Sequence, residues 1–222
     1  MEFSEVENLV QNLIGQTEVA ISLKQLCKRL NSDKRVGPAY DDTYAGHGFV
    51  LARSSIDYAF ALSLTRMNEY RPDVSSLARF FNVFSENLEL IQGGILDRRL
   101  KWVDAAEARA DTDEHLGEIE EASGLHRELL GSHQWARTNI LRHKHIAHAA
   151  IDRKKIQLPK YEYLYALCDK TVEIVQQVAR ALLGLGAGFS EYEEIWGMYS
   201  EEFFESMIVG TKTPGNTELK VT

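Results

Sequence analysis

Cysteine and proline are scarce in this chain of 222 residues. The two cysteines, Cys27 and Cys168, stand far apart and belong to no Cys-x-x-Cys or Cys/His cluster. That spacing excludes a disulfide framework and a cysteine-built zinc site, and leaves two small core residues in a reducing compartment as the expectation. The four prolines fall at positions 38, 72, 159 and 214. Proline seldom lies inside a helix, so long stretches are open to helix formation and the prolines mark their ends. No apolar run reaches the ~20 residues that cross a bilayer. The start, MEFSEVENLV, is acidic and lacks the cationic region of a secretory signal. We expect a cytoplasmic chain with no membrane partner. Alternating strand patterns, repeats and low-complexity tracts are absent as well. Positive charge is outnumbered, 25 Lys and Arg against 33 Asp and Glu, for a net charge of −8. Such a chain should not bind nucleic acid over its whole surface.

What is present is helical periodicity. Apolar residues at spacings of three and four predict a first helix over 3–31, with Ser4 and Glu7 as a capping box. A second is expected over 41–70, its inner face including Phe49, Val50, Ala52, Ile56, Ala59, Phe60, Leu62 and Leu64. A third is expected over 75–90, with Leu77, Phe80, Phe81, Phe84 and Leu88 inward and the Gly93-Gly94 pair as its break or kink. Residues 96–122 are highly charged and read as an exposed helix or a helix–loop–helix insertion. A helix over 123–149 follows, with Leu125, Leu129, Leu130, Trp135, Ile140, Leu141 and Ile146 as its buried contacts. Another spans 161–185, stopped by Gly184 and Gly186. A last one covers 190–208. The fold class is therefore all-α, an up-and-down bundle of five to seven helices with a charged helical insertion around 96–122. Its length suits one domain over 1–209, followed by a flexible tail over 210–222.

The exception to the acidic composition is RTNILRHKHIAHAAIDRKK, residues 137–155. Residues 137–160 hold seven Lys and Arg against one acid, Asp152. That segment carries +6 within a chain of −8, so the remainder carries −14. Three histidines, His143, His145 and His148, lie within it. A local basic site in an acidic body suits a short stretch of RNA or a nucleotide better than a long duplex. On an ideal helix Arg142 and His148 are about 120° apart, so they converge only if the arginine reaches along the surface or a second subunit brings its copy alongside. Three readings fit these residue types. One is a solvated polar face. One is a metal site on His145 and His148, with no acid near them in sequence arranged to complete a carboxylate-bridged site and with repelling cations beside it. One is a phosphodiester-processing site, in which histidine moves protons and arginine holds phosphate.

The run RHKHIAH resembles the signature of the HEPN family: arginine, a polar residue, four spacers, then histidine. Here these are Arg142, His143, Lys144 to Ala147, and His148. Its I-A-H ending and the upstream VLARSSIDYAFALSL run resemble the AbiU-like abortive-infection subgroup. The resemblance implies a helical bundle that dimerises through the motif helices and builds a composite cleft. It implies a metal-independent endoribonuclease, with no cofactor, of a toxin or phage-defence system. Arg142 would hold the scissile phosphate, His148 would carry protons, and His143 would orient them or touch RNA. Lys144, Arg153 and Lys154 would guide the RNA backbone. His145 is a spacer position and stays outside the catalytic set. The partners implied are RNA, a second copy of the chain and an antitoxin protein. Ala150 stands where some antitoxin-controlled members carry a modifiable tyrosine, which argues against that mode of control. The alternative is a non-catalytic helical module that binds a nucleotide or a protein partner.

Overall fold

The computed structural model describes residues 1–40, 46–141 and 159–211. Among them lie nine helices and no strand. They are α1 (Phe3–Ser32), α2 (Val36–Tyr40), α3 (Gly46–Asn68), α4 (Leu77–Glu86), α5 (Leu88–Arg99), α6 (Ala105–Gly131), α7 (His133–Leu141), α8 (Tyr161–Leu183) and α9 (Phe189–Thr211). No helix among the described residues is long and apolar enough to cross a membrane. Contacts group the chain into two compact units, one of Met1–Ala20 and Ala61–Phe189, the other of Ile21–Phe60 and Ser190–Thr222.

The first unit is organised by α6 and α8, which pack against each other. Arg180 binds Glu118 at 2.8 Å, and Lys170 lies in the field of Glu128. The two pairings run in opposite directions along the chain, so the helices are antiparallel. On α6, Thr112, Ile119, Ala122, His126 and Leu129 are buried. On α8, Leu164, Cys168, Thr171, Val175, Val178 and Leu182 are buried. Both sets advance in steps of three and four, or their sum of seven, which keeps one seam of each helix facing its partner. Alanine, threonine and cysteine occupy several of these positions. Helices α5 and α7 pack against α6, and α7 also packs against α8.

Local chemistry sets the helix ends. Ser76 caps α4 by accepting from the Arg79 amide at 3.2 Å. The Asn87 amide and carboxamide both donate to the Val83 carbonyl, at 3.0 Å each, and this closes α4 and separates it from α5. Asp104 opens α6 by accepting from the amides of Ala106 and Glu107, at 2.9 and 3.0 Å. Gly184 closes α8 in the left-handed region, at φ 66°, where a side chain would be strained. Arg98 of α5 makes three contacts, to α8 and α1. Its guanidinium donates to the Leu182 carbonyl at the end of α8, pairs with Glu7 of α1, and sits over the Phe3 ring 5.6 Å from the centroid. Such a donor supplies a bond that the last turn of a helix cannot make internally.

The second unit has its own core of Leu30, Val36, Phe204 and Ile208, with Phe49, Ile56 and Met207 packed on it. Tyr40 and Phe49 stack with parallel rings 4.6 Å apart. Lys24 is buried, and its ammonium is met by Glu193 at 2.7 Å. A buried charge of this kind is tolerable only with such a partner. Arg35 hydrogen-bonds Asp33, which holds that carboxyl well below its ordinary value, at about 2. Pro38 sits in the first turn of α2, where its missing amide is not needed. Cys27 donates to Asp57 at 3.5 Å, and burial pushes its thiol far above the ordinary range. It is a packing residue and not a nucleophile.

Several expectations change. The Gly93-Gly94 pair does not break a helix, because α5 runs straight through it and the break falls at Asn87. Gly94 is there for closeness, since a Cβ at that position would overlap the Phe3 ring. The charged stretch 96–122 is not set apart from the bundle: its second half is the body of α6. The helix expected from 123 to 149 is instead divided at Ser132. These divisions raise the number of helices above the expected five to seven. Val50, Leu62, Leu88 and Ile140 are exposed, as are Ala52 and Ala59. The tail after 211 lies outside the described residues.

The two glycines of α5 should respond oppositely to alanine. At Gly93 a Cβ meets nothing within 4 Å, so Gly93→Ala should add up to about 1 kcal/mol of helix stability. At Gly94 the overlap with Phe3 should reverse that gain, leaving Gly94→Ala about 1 kcal/mol less stable than the parent. Urea midpoints of the three proteins check this.

Candidate functional site

The basic motif lies between α7 and α8. Arg142, His143, Lys144, His148, Arg153 and Lys154 are all outside the described residues, so their flanks define the setting. Helix α7 is described as far as Leu141, the residue before Arg142, and α8 begins at Tyr161. Ser132 makes α7 possible. Its extended backbone ends α6, and its hydroxyl accepts from the Trp135 amide at 3.1 Å as the cap of the next helix. Thr138 and Leu141 face inward and seat α7, with the Thr138 hydroxyl donating to the Gln134 carbonyl at 2.9 Å.

The helices on either side of the motif in sequence carry aromatic groups. His133 of α7 meets the Tyr163 ring of α8 edge-on, with centroids 5.7 Å apart. Arg137 donates from Nε to His133 Nε2 at 3.2 Å, an arrangement that needs Nε2 unprotonated. Tyr161 and Tyr165 stack along α8 at 6.2 Å. Asn139, three residues before Arg142, has its carboxamide oxygen buried with no partner among the described residues. Aromatic faces beside a guanidinium can stack a base and hold a phosphate. Arg137 belongs to the basic segment, whereas His133 and Tyr163 lie outside it in sequence. The i, i+4 spacing of His133 and Arg137 was the available signal.

Two other places have features of a site. A cavity of about 190 Å³ is lined by Arg98, Arg99, Trp102, His115, Leu182 and Gly184. Its guanidiniums are already committed, Arg98 to Glu7 and the Leu182 carbonyl, Arg99 to Asp111. It therefore offers poor purchase to a phosphate. His126 lies deep between helices, hydrogen-bonded to the Asn68 backbone and 5.3 Å from the Phe81 ring. Asn68 in turn donates to Leu64 at 2.8 Å and to the Thr171 hydroxyl at 3.0 Å. Burial lowers the His126 pKa to about 4, against the smaller opposing effect of its hydrogen bond. A neutral imidazole without solvent contact is a structural group and not a proton carrier. No group of histidine, cysteine and carboxylate side chains suited to a metal ion occurs among the described residues.

The helical fold and the Arg-polar-x4-His spacing define the class, a HEPN protein. The chain belongs to the HEPN_AbiU2 family: that family, described as AbiU2 and linked to abortive infection, matches residues 3–203. The matched range spans both units and contains the motif at 142–148. Comparison with curated proteins found no match, and comparison with solved structures found none either.

The buried histidine makes stability depend on pH in a definite direction. The unfolded chain protonates His126 near pH 6.5, while the folded chain resists until about 4. Protons therefore favour unfolding as pH falls from 6.5 toward 4, and above 6.5 the group is silent. Between pH 7.5 and 5 this histidine should cost about 2 kcal/mol. Urea titrations at the two pH values should show His126→Gln losing less stability than the parent.

Proposed function

We propose that this chain is a metal-independent endoribonuclease of abortive infection. The observation that carries the reading is the complete Arg142-His143-x4-His148 set, placed in a +6 segment and within the range matched by the family. The RNA 2′-hydroxyl attacks the adjacent phosphorus, and the bond to the 5′-oxygen breaks. One proton leaves the 2′-oxygen and another reaches the 5′-oxygen. His148 carries these protons, and Arg142 balances the charge that builds on phosphate. The products are a 2′,3′-cyclic phosphate and a 5′-hydroxyl. No metal is needed to supply the nucleophile, because it is part of the substrate and already positioned.

His143 orients the pair or contacts RNA, and Lys144, Arg153 and Lys154 hold the backbone. The aromatic flank of His133 and Tyr163 supports a single-stranded substrate, whose bases are free to stack. The 120° between Arg142 and His148 on an ideal helix favours a composite site, to which two copies of the chain each contribute. An antitoxin protein is a further partner in this reading.

Purified protein should cut single-stranded RNA in the presence of a strong chelator and leave DNA intact. His148→Ala should lower the rate by about 10²–10⁴-fold. Arg142→Ala should also lose activity, and His145→Ala should lose much less. Circular dichroism checks the folding of each variant. A well-folded His148→Ala that cuts at the parental rate would refute the assignment. If chelator abolishes cutting, the metal reading returns. If the parent cuts no RNA offered, the binding-module alternative moves ahead. Sedimentation at micromolar concentration should give a dimer, and a strict monomer would count against the composite cleft.

A further inference from the structure

Helix α9 presents two faces. Phe204 and Ile208 are buried in the core of the second unit. Ile195, Tyr199 and Phe203 are exposed at 40%, 55% and 53%. They recur at every fourth residue, so each is displaced by only about 40° from the last and the three form one slanted stripe. Met198, 58% exposed, lies beside it. The rings are braced from behind. Trp196 meets Tyr199 edge-on at 5.8 Å, and Phe204 meets Phe203 edge-on at 5.1 Å. Aromatic groups held this way lose little freedom on binding.

The charge around the stripe has one sign. Helix α9 contains six glutamates and no lysine or arginine. Glu193 is engaged by Lys24 and Lys28, and Glu205 by Arg29 and Arg35. Glu201 meets Arg29 at 3.6 Å. Glu191, Glu194 and Glu202 make no ion pair among the described residues; on an ideal helix Glu191 and Glu202 lie along one edge of the stripe, and Glu194 lies further round on the same side, beside Met198.

We propose that this face of α9 docks a cationic amphipathic helix of a partner protein. Apolar side chains at i, i+3 or i+4 would cover Ile195, Tyr199 and Phe203, and lysine or arginine beside them would meet Glu191, Glu194 and Glu202. A second copy of α9 does not fit, because it would bring glutamates against glutamates. An anionic membrane surface is disfavoured for the same reason.

The probe is an 18-residue fluorescent peptide of leucine and lysine, with leucine at helical spacing, measured by anisotropy against the full chain. Two controls are a scrambled peptide of the same composition and a leucine–glutamate version of the same pattern. The patterned cationic peptide should bind at micromolar concentration, and the controls at least tenfold more weakly. Tyr199→Ala with Phe203→Ala should weaken binding roughly tenfold, as loss of central aromatic anchors does. Glu194→Gln with Glu202→Gln should weaken it and flatten its salt dependence. These substitutions lie on the surface, so both variants should keep the parental circular dichroism. Equal binding of the scrambled peptide, or of the glutamate version, would overturn the proposal. So would unchanged binding by the double alanine variant. If that variant instead turns a dimer into a monomer in sedimentation, the face belongs to a second copy and the proposal fails.

Discussion

The antiparallel seam between α6 and α8 is the constraint on which the rest of the first unit depends. Helix α7 continues from α6 through one residue, Ser132, and packs against both α6 and α8. The basic motif leaves from the end of α7, and the chain returns at the start of α8. Both ends of the motif segment are thus anchored on helices that touch. An arginine and a histidine needed at one phosphate must be held within a fraction of an ångström. A scaffold in which the two anchoring helices are themselves packed supplies part of that constraint before the motif residues are considered. The seam also explains why α5 matters. Arg98 satisfies the carbonyl of Leu182 at the far end of α8, away from the motif, so α8 is tied at both ends.

The interior at the seam includes polar groups. His126, Asn68 and Thr171 lie in the interior where leucine or valine would add more stability per residue. Hydrogen bonds compensate part of the loss, and each bond is satisfied only in one alignment of the helices. The Asn68 side chain reaches Thr171 of α8 while its backbone meets His126 of α6, so one residue of α3 measures the position of both partners. A uniformly apolar seam could slide by a turn with little penalty. The polar one is held in register by the bonds it makes, Asn68 to Thr171 and to His126, although Asn68 Oδ1 and His126 Nε2 stay without a hydrogen-bond partner among the described residues.

This polarity is also why the sequence was only partly legible. Helix α1 was readable because Val6, Leu9, Val10 and Leu13 announce its inner face, and α8 was readable for the same reason. Helix α6 hid itself. Its buried positions include Ala108, Thr112, Ala122 and His126, which hydropathy does not score as a core face, while its exposed side is dense with charge. The eye therefore saw an insertion where the central helix stands. The Gly93-Gly94 pair misled in the opposite way, because glycine signals both a break and a close approach, and only the position of Phe3 decides between them. The motif was legible since it rests on covalent spacing alone: Arg142, His143 and His148 are recognisable whatever surrounds them. What spacing could not supply was the flank. His133 and Tyr163 are thirty residues apart and meet only because α7 packs on α8.

Charge divides the chain into surfaces that prefer opposite partners. The segment 137–160 carries +6 and the remainder −14, so a polyanion gains from one short stretch and is repelled elsewhere. On the proposed reading, RNA would be held at one short stretch and not over the whole surface, and binding would weaken with salt. The acidic remainder is not idle. On α9 its glutamates edge an apolar stripe, a combination that rejects RNA and suits a cationic helix. Substrate and protein partner would then be sorted by sign before any shape is tested. The residues offered to a cationic helix on α9 and those of the basic segment are different residues of opposite charge.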